Sequence, residues 1–432
     1  MKNDNNPFNP NAVVTPPLFA GRSQQVMQII KKLAQVKRGM TANFLLVGER
    51  GIGKTALAKL IMHIARAKDP RMENLGFLTS YYTVERGQNF EGVLQGSLNQ
   101  LTDKLPSSAI AHITERMGTF FKNGKFSFGA FGISIGLDKV KGSEKVAPTN
   151  THLKDVAISA LTNILQTAAT KGSANEQSDG LLIVIDEIHN VVDIEGVAQI
   201  LRAISTTLNV NENGNVSFLV IGNPDAIQKF LAGDPSAKRS FDTINLSYMP
   251  KDEAKQVLVK GFESEKIEFD QKMLDSRIDY AGGYPHSIQV LGHNLIEADK
   301  NNFIDRDDWD KAVHATALEL QTKDFSELYN FGAKKTQREM LLDLLALVEF
   351  PVSKTVLSKE FDGGNIYTRS CLPALKESGA VRENPETGEL SLHSPLFRSA
   401  ILLHIIPNMK KNDEVYTRVN RIREQIKPKE PS

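Results

Sequence analysis

Short stretches of this chain are apolar at nearly every position, whereas longer stretches are apolar only at every third or fourth. Residues 44–47, 181–185 and 216–221 are of the first kind. They read as strands buried on both faces, the pattern of a parallel sheet covered by helices. The second kind begins at residues 56–65, where Leu57, Leu60 and Ile61 share one helical face. Residues 250–323 hold four such segments separated by turns: DEAKQVLVKGFE, QKMLDSRIDYAG, PHSIQVLGHNLIEAD and RDDWDKAVHATALELQ. Three more follow, TQREMLLDLLALV, SKTVLSKEF and NIYTRSCLPALKESG, the last closing at Gly379 and carrying Pro373 as an interruption. The turn PETG then joins AVREN to ELSLHS as a hairpin.

Composition adds limits. A chain of 432 residues has room for two or three domains, each with its own core. The formal net charge of +1 advertises no global field for nucleic acid, and the single cysteine, Cys371, excludes a disulfide framework and fits a reducing cytoplasm. No apolar run is long enough to span a bilayer. The opening MKNDNNPFNPNAVVTPP is polar and rich in Asn and Pro, and residues 1–17 read as a flexible or extended arm.

The candidate chemistry lies at the ends of the apolar runs. Gly48, Glu49, Arg50, Gly51, Ile52, Gly53, Lys54 and Thr55 fit the phosphate-binding loop pattern G-x-x-x-x-G-K-[ST], with Ala56 opening the helix behind it. Strand, glycine-rich turn and helix form the context this motif needs. The glycines let backbone N–H groups converge on phosphate oxygens, where the helix dipole already favours an anion. Lys54 then supplies a point charge for the β- and γ-phosphates of ATP, and the Thr55 hydroxyl a ligand for Mg²⁺. After the run 181–185 come Asp186 and Glu187. A carboxylate at the C-terminal edge of a buried strand sits where ligands gather in open α/β sheets. Asp186 is expected to hold the Mg²⁺ shell with Thr55, and Glu187 to polarise the attacking water.

The run 216–221 is followed by Asn223 and Pro224. From here the sequence resembles the AAA+ ATPases, in which a polar sensor residue ends the strand beside the acidic one. The resemblance gives that place to Asn223, to orient water or touch the γ-phosphate; the plain alternative is an Asx-Pro turn opening a helix. LFAGR, with Phe19 and Arg22, is similar to the box that wraps adenine in the origin-recognition and STAND-like branches. In AKRSFDTINLSYMPKDEA, the resemblance makes Arg239 the candidate arginine finger, with Lys238 second. Arginine's planar fork suits phosphate oxygens better than an ammonium. AGGYPHSIQVLG is similar to the sensor 2 region, but His286 stands where many relatives carry Arg, which weakens any link to phosphate.

The resemblance implies an α/β fold: a P-loop AAA+ core with a parallel sheet over residues 18–249, a helical lid over 250–323, a winged helix over 324–407 and a basic tail over 408–432. It implies ATP and Mg²⁺ as cofactors, and homo-oligomers formed through AAA+ interfaces. Lys54 and Asp186 are 132 positions apart, more than such a core needs, and the surplus falls at about 116–150. There KFSFGAFGISIGLDKV alternates apolar and small residues like a hairpin, suited to pairing with another subunit or to packing on its own helices. From residue 334 to 406 nine Lys/Arg face nine Asp/Glu, with Glu383, Glu386 and Glu389 on the presumed wing. The plausible contacts on the presumed recognition helix are Tyr367, Arg369 and Lys376. That balance supports a protein partner as readily as DNA, which it supports weakly. The tail reads as a solvated amphipathic helix.

Overall fold

The apolar runs form strands β1 (Asn43–Val47), β3 (Gly180–Asp186) and β4 (Val216–Gly222), buried at every residue. Two strands flank them: β2 (Phe77–Thr83), whose sequence FLTSYYT mixes polar and apolar positions, and β5 (Phe241–Asn245). The order is β2-β3-β4-β1-β5, with every pairing parallel. β4 thus lies between β1 and β3, and the register sets Thr83 beside Asp186. A computed structural model describes residues 6–67, 75–105, 150–170, 177–321, 325, 328–329, 336–348, 351–360, 365–384, 387–393, 395–406 and 414–426. The chain divides into two units, residues 22–247 and residues 1–21 with 248–432.

In the unit 22–247, helices cover the sheet: α1 (Ser23–Lys37), α2 (Lys54–Arg66), α3 (Phe90–Thr102), α4 (Asn150–Thr170), α5 (Ile194–Val210), α6 (Pro224–Gly233) and the short α7 (Ala237–Ser240). Helix starts are set by short polar side chains, Asn89, Asp193 and Asn223, each accepting an amide hydrogen from the first turn. One face of the sheet packs Ile183, Ile185, Phe218 and Val220 against Leu98, Leu161, Ile204 and Phe230 from these helices. The hairpin expected at 125–140, and residues 116–149 of the expected insertion, lie outside the described residues.

The other unit is mainly helical: α8 (Lys251–Ser264), α9 (Gln271–Arg277), α10 (Pro285–Ala298), α11 (Arg306–Leu320), α12 (Gln337–Val348), α13 (Lys354–Glu360), α14 (Asn365–Glu377), α15 (Pro395–Ile405) and α16 (Glu414–Ile426). A small parallel pair joins β6 (Glu268–Phe269) to β7 (Phe303–Ile304). The later hairpin, β9 (Val381–Glu383) and β10 (Glu389–Leu392), gains a third strand, β8 (Val352–Ser353), paired to β10. A single hydrophobic cluster runs through the whole unit, from Phe262 and Trp309 through Leu342 and Phe397 to Ile422. The segments expected as lid, winged helix and tail therefore share one core.

Three expectations are corrected here. The N-terminal arm is not free from residue 6 onward: Phe8 is 3% exposed and packs edge-on against Phe262, with ring centroids 5.9 Å apart. It fills a slot opened by two glycines, for a Cβ on Gly261 or Gly292 would come within 2.1 or 2.6 Å of its ring. Asn6 donates to the His293 carbonyl, and the His293 ring bonds the Phe8 carbonyl. Pro373 does not interrupt α14, which runs through it; the ring forfeits one backbone bond, and packing at Cys371, Leu372 and Leu375 holds the helix. The tail is not a solvated helix. Val419 and Ile422, three positions apart on one face of α16, are buried in the core, and Arg423 donates to the Leu347 carbonyl at 2.5 Å.

Candidate active site

The loop between β1 and α2 turns on Gly51 and Gly53, whose φ values of 79° and 93° lie in the left-handed region that glycine enters without strain. Gly48 is needed for space: a Cβ there would meet Ile52 Cγ2 at 2.7 Å and the Leu246 carbonyl at 3.1 Å. The result is a narrow backbone cradle at the N-terminus of α2, the arrangement that binds anions. Lys54 Nζ donates to the carbonyls of Gly48 and Glu49, each at 2.8 Å, and so stays within the loop. Burial pulls its pKa below the ordinary lysine value, opposed by the nearby Glu187, Asp186 and Glu49 carboxylates. Glu49 and Arg50 lie at the rim, Arg50 exposed and Glu49 half-buried, while Ile52 is buried beneath the loop and Ala56 is half-buried.

Asp186, 2% exposed, ends β3 facing this loop. Its Oδ2 accepts from Thr55 Oγ1 at 2.8 Å, and its Oδ1 accepts from the Glu187 amide at 2.8 Å. A third donor went unmarked in the sequence: the Tyr81 hydroxyl of β2 also donates to Asp186 Oδ2. Burial first, then the Asp186 carboxylate, push the Tyr81 pKa up, so the phenol stays a neutral donor. Glu187 itself sits at φ 60°, ψ 41°, left-handed for a side-chain-bearing residue, a strain typical of functional sites. Its Oε2 lies 3.0 Å from His189 Nε2, the second residue missed. The Asn190 side chain pins this turn, its Nδ2 donating to the Val84 carbonyl beyond β2.

The other expected residues are placed as follows. Asn223 caps α6 at the C-terminal end of β4, between the strands of Lys54 and Asp186; its Oδ1 accepts from the Ala226 amide at 2.8 Å, leaving the Nδ2 end to donate elsewhere. Lys238 and Arg239 are exposed on α7. Arg22, the residue expected beside adenine, has backbone partners within its own unit. It is 3% exposed at φ 60°, and its guanidinium donates to the Ser247 carbonyl at 2.6 Å and the Ile52 carbonyl at 3.4 Å. Phe19 belongs to the helical unit, where its carbonyl accepts from Lys260, and His286 is the second residue of α10 in that unit.

Residues 18–220 match a family model described as an AAA ATPase domain. The chain carries an AAA ATPase domain. With its parallel sheet and P-loop, this domain has the AAA+ P-loop NTPase fold. The matched span holds the phosphate loop, Asp186 and Glu187, and it ends before Asn223, Arg239 and His286. No curated protein matches the chain by sequence. Among solved structures it is similar to the Aeropyrum pernix ORC2 protein (15% identity, 98% of each chain covered, TM-score 0.47). It is also similar to a Walker-type ATPase of Pyrococcus abyssi (12% identity, 89% of this chain and 96% of that one, TM-score 0.45). A third is the Thermotoga maritima RuvB Holliday junction branch migration motor (15%, 86% and 92%, TM-score 0.40). No helix among the described residues is long and apolar enough to cross a membrane.

The groups fit a magnesium nucleotide. A Cβ at Gly48 would not fit, the α2 N-terminus and Lys54 carry the positive charge that suits anionic oxygens, and Thr55 with Asp186 offers paired oxygens of the kind Mg²⁺ takes beside phosphate.

Proposed function

We propose that the protein is a Mg²⁺-dependent ATPase working as an oligomeric remodeller or switch. The hydrogen bond from Thr55 to Asp186, with Glu187 next in the chain, carries this reading. Lys54 meets the β- and γ-phosphates, turning from its loop carbonyls toward the stronger anion. Thr55 and Asp186 would hold Mg²⁺, which would supply positive charge beside the phosphate oxygens. Glu187 accepts a proton from the attacking water as its oxygen bonds to the γ-phosphorus and the bond to the ADP oxygen breaks. Asn223 orients that water through Nδ2, and Arg239 of one subunit reaches the site of the next. His286 adds at most a weak contact. The lid, the winged helix and a cytoplasmic location belong to the same reading.

A second reading, a nucleotide-dependent switch with slow turnover, is favoured by one observation: Glu187 is engaged by His189. A base held by an imidazole is less available to water. Turnover of ATP by the wild type and Glu187→Gln, with mass determination in ATP, in ADP and without nucleotide, tests both. Nucleotide binding without turnover, with a change of mass between ATP and ADP, selects the switch. No binding at all rejects both.

A further inference from the structure

Tyr81 stands on the sheet-edge strand β2, two residues before Thr83, the register partner of Asp186. Alternation puts Thr79, Tyr81 and Thr83 on one face of β2, and Arg66 of α2 donates to Thr79 on that face. Tyr81 thereby shares the α2 side of the sheet with Thr55 and Asp186. Its hydroxyl and that of Thr55 both donate to Oδ2 of Asp186, and the Glu187 amide takes Oδ1. A carboxylate has about four acceptor positions. Three are filled, two on Oδ2 and one on Oδ1, which restrains rotation of the group and leaves one Oδ1 position beyond these donors. Thr55, having spent its hydrogen on Asp186, must present its oxygen lone pairs to whatever sits in the loop.

We infer that Tyr81 is a positioning residue for the Mg²⁺ site: its hydroxyl locks the Asp186 carboxylate in the rotamer that turns Thr55 Oγ1 and one Asp186 oxygen toward the cation. This rests on the proposed nucleotide function and adds a residue to it. Without the phenol, the carboxylate keeps two donors and regains rotation about its last bond. Loss of such an outer partner typically weakens metal binding by about 10- to 100-fold.

The test is Tyr81→Phe, which keeps the ring and removes the donor. Tyr82→Phe is the control, because the Tyr82 hydroxyl bonds Gln88 rather than the site. Binding of a fluorescent ATP analogue is titrated with Mg²⁺ and repeated in EDTA, and a melting curve checks folding. For Tyr81→Phe, the Mg²⁺ concentration giving half of the metal-dependent binding should rise about tenfold or more. Its affinity in EDTA should stay at the wild-type level, and Tyr82→Phe should match wild type throughout. An unchanged Mg²⁺ requirement in Tyr81→Phe, with wild type showing metal-dependent binding, overturns the role of Tyr81 and leaves the ATPase reading intact. Equal loss in EDTA and in Mg²⁺ also overturns it, since the phenol would then support the loop as a whole. Absence of nucleotide binding by the wild type removes the ATPase reading and this inference together.

Discussion

Thr55 and Asp186 are 131 positions apart in the chain, and the hydroxyl of one donates to the carboxylate of the other at 2.8 Å. The bond joins the start of α2 to the end of β3, so the two residues proposed to hold the cation already face each other. Binding and chemistry should therefore separate by mutation. Lys54→Ala should abolish ATP binding, since the phosphates lose their main cation. Glu187→Gln should bind normally and lose hydrolysis by about 100-fold or more. Equal turnover in Glu187→Gln and wild type would remove Glu187 as the base.

His189 should tune rather than supply the chemistry. The imidazole lies 3.0 Å from Glu187, both side chains are more than a third exposed, and such a pair contributes little to stability. His189→Ala should leave the melting curve and ATP affinity unchanged and alter the turnover rate. A rise would mean the imidazole restrains the base, and a fall that it aims it; an unchanged rate would make the pair incidental.

Arg22 is expected to hold the fold rather than adenine. Arg22→Ala removes two hydrogen bonds from a charged donor, to the carbonyls of Ile52 and Ser247, at a cost of about 1.5–3 kcal/mol. Nucleotide-free protein should melt earlier by a corresponding margin. Lost nucleotide affinity at an unchanged melting temperature would return Arg22 to the adenine pocket.

Phe8 and Gly292 should be energetically coupled. Phe8→Ala should destabilise the helical unit by about 3–5 kcal/mol. Gly292→Ala alone should be comparably harmful, because its new methyl meets the Phe8 ring at 2.6 Å. The double variant should cost clearly less than the two added together, the signature of a shared contact. Additive losses in denaturant melts would show that the slot adapts.

DNA binding should be weak and limited by Glu383. This residue pairs with Lys354 at 2.6 Å and with Lys376, so one wing carboxylate engages two of the few lysines available to phosphates. Glu383→Gln should tighten duplex binding and steepen its salt dependence by about two in slope. Identical titrations at two salt concentrations would show that neither lysine meets DNA. Removing residues 410–432 is a poor test of the same question, since it strips Val419 and Ile422 from the core.

The apolar runs and the glycine motif made the centre of the sheet and the turn between β1 and α2 legible, because strands buried on both faces tolerate little besides apolar residues. Edges were harder to read. β2 carries FLTSYYT, polar where it meets α2 and α3, and so showed no period by which Tyr81 could be noticed. His189 had a visible signal, a polar residue in the turn after Glu187, but only folding sets it beside that carboxylate. The likeness of LFAGR to the adenine box suggests an adenine contact for Arg22; its hydrogen bonds to the Ile52 and Ser247 carbonyls join positions far apart in the chain, which no local pattern marks. The slot for Phe8 depends on two glycines far from it in sequence, and the docking of α16 on two residues among many charges.

The bond between Arg22 and Ser247 has one more consequence. Those residues are the first and last of the α/β unit, and they touch. The unit is therefore an insert with its two ends stapled together, placed between residue 21 and residue 248 of the helical unit. Insertions of this kind are tolerated because closely spaced ends perturb the host little. Loss of the first 21 residues would accordingly injure the host, which owns Phe8, while leaving the cassette from Arg22 to Ser247 with all its own strands.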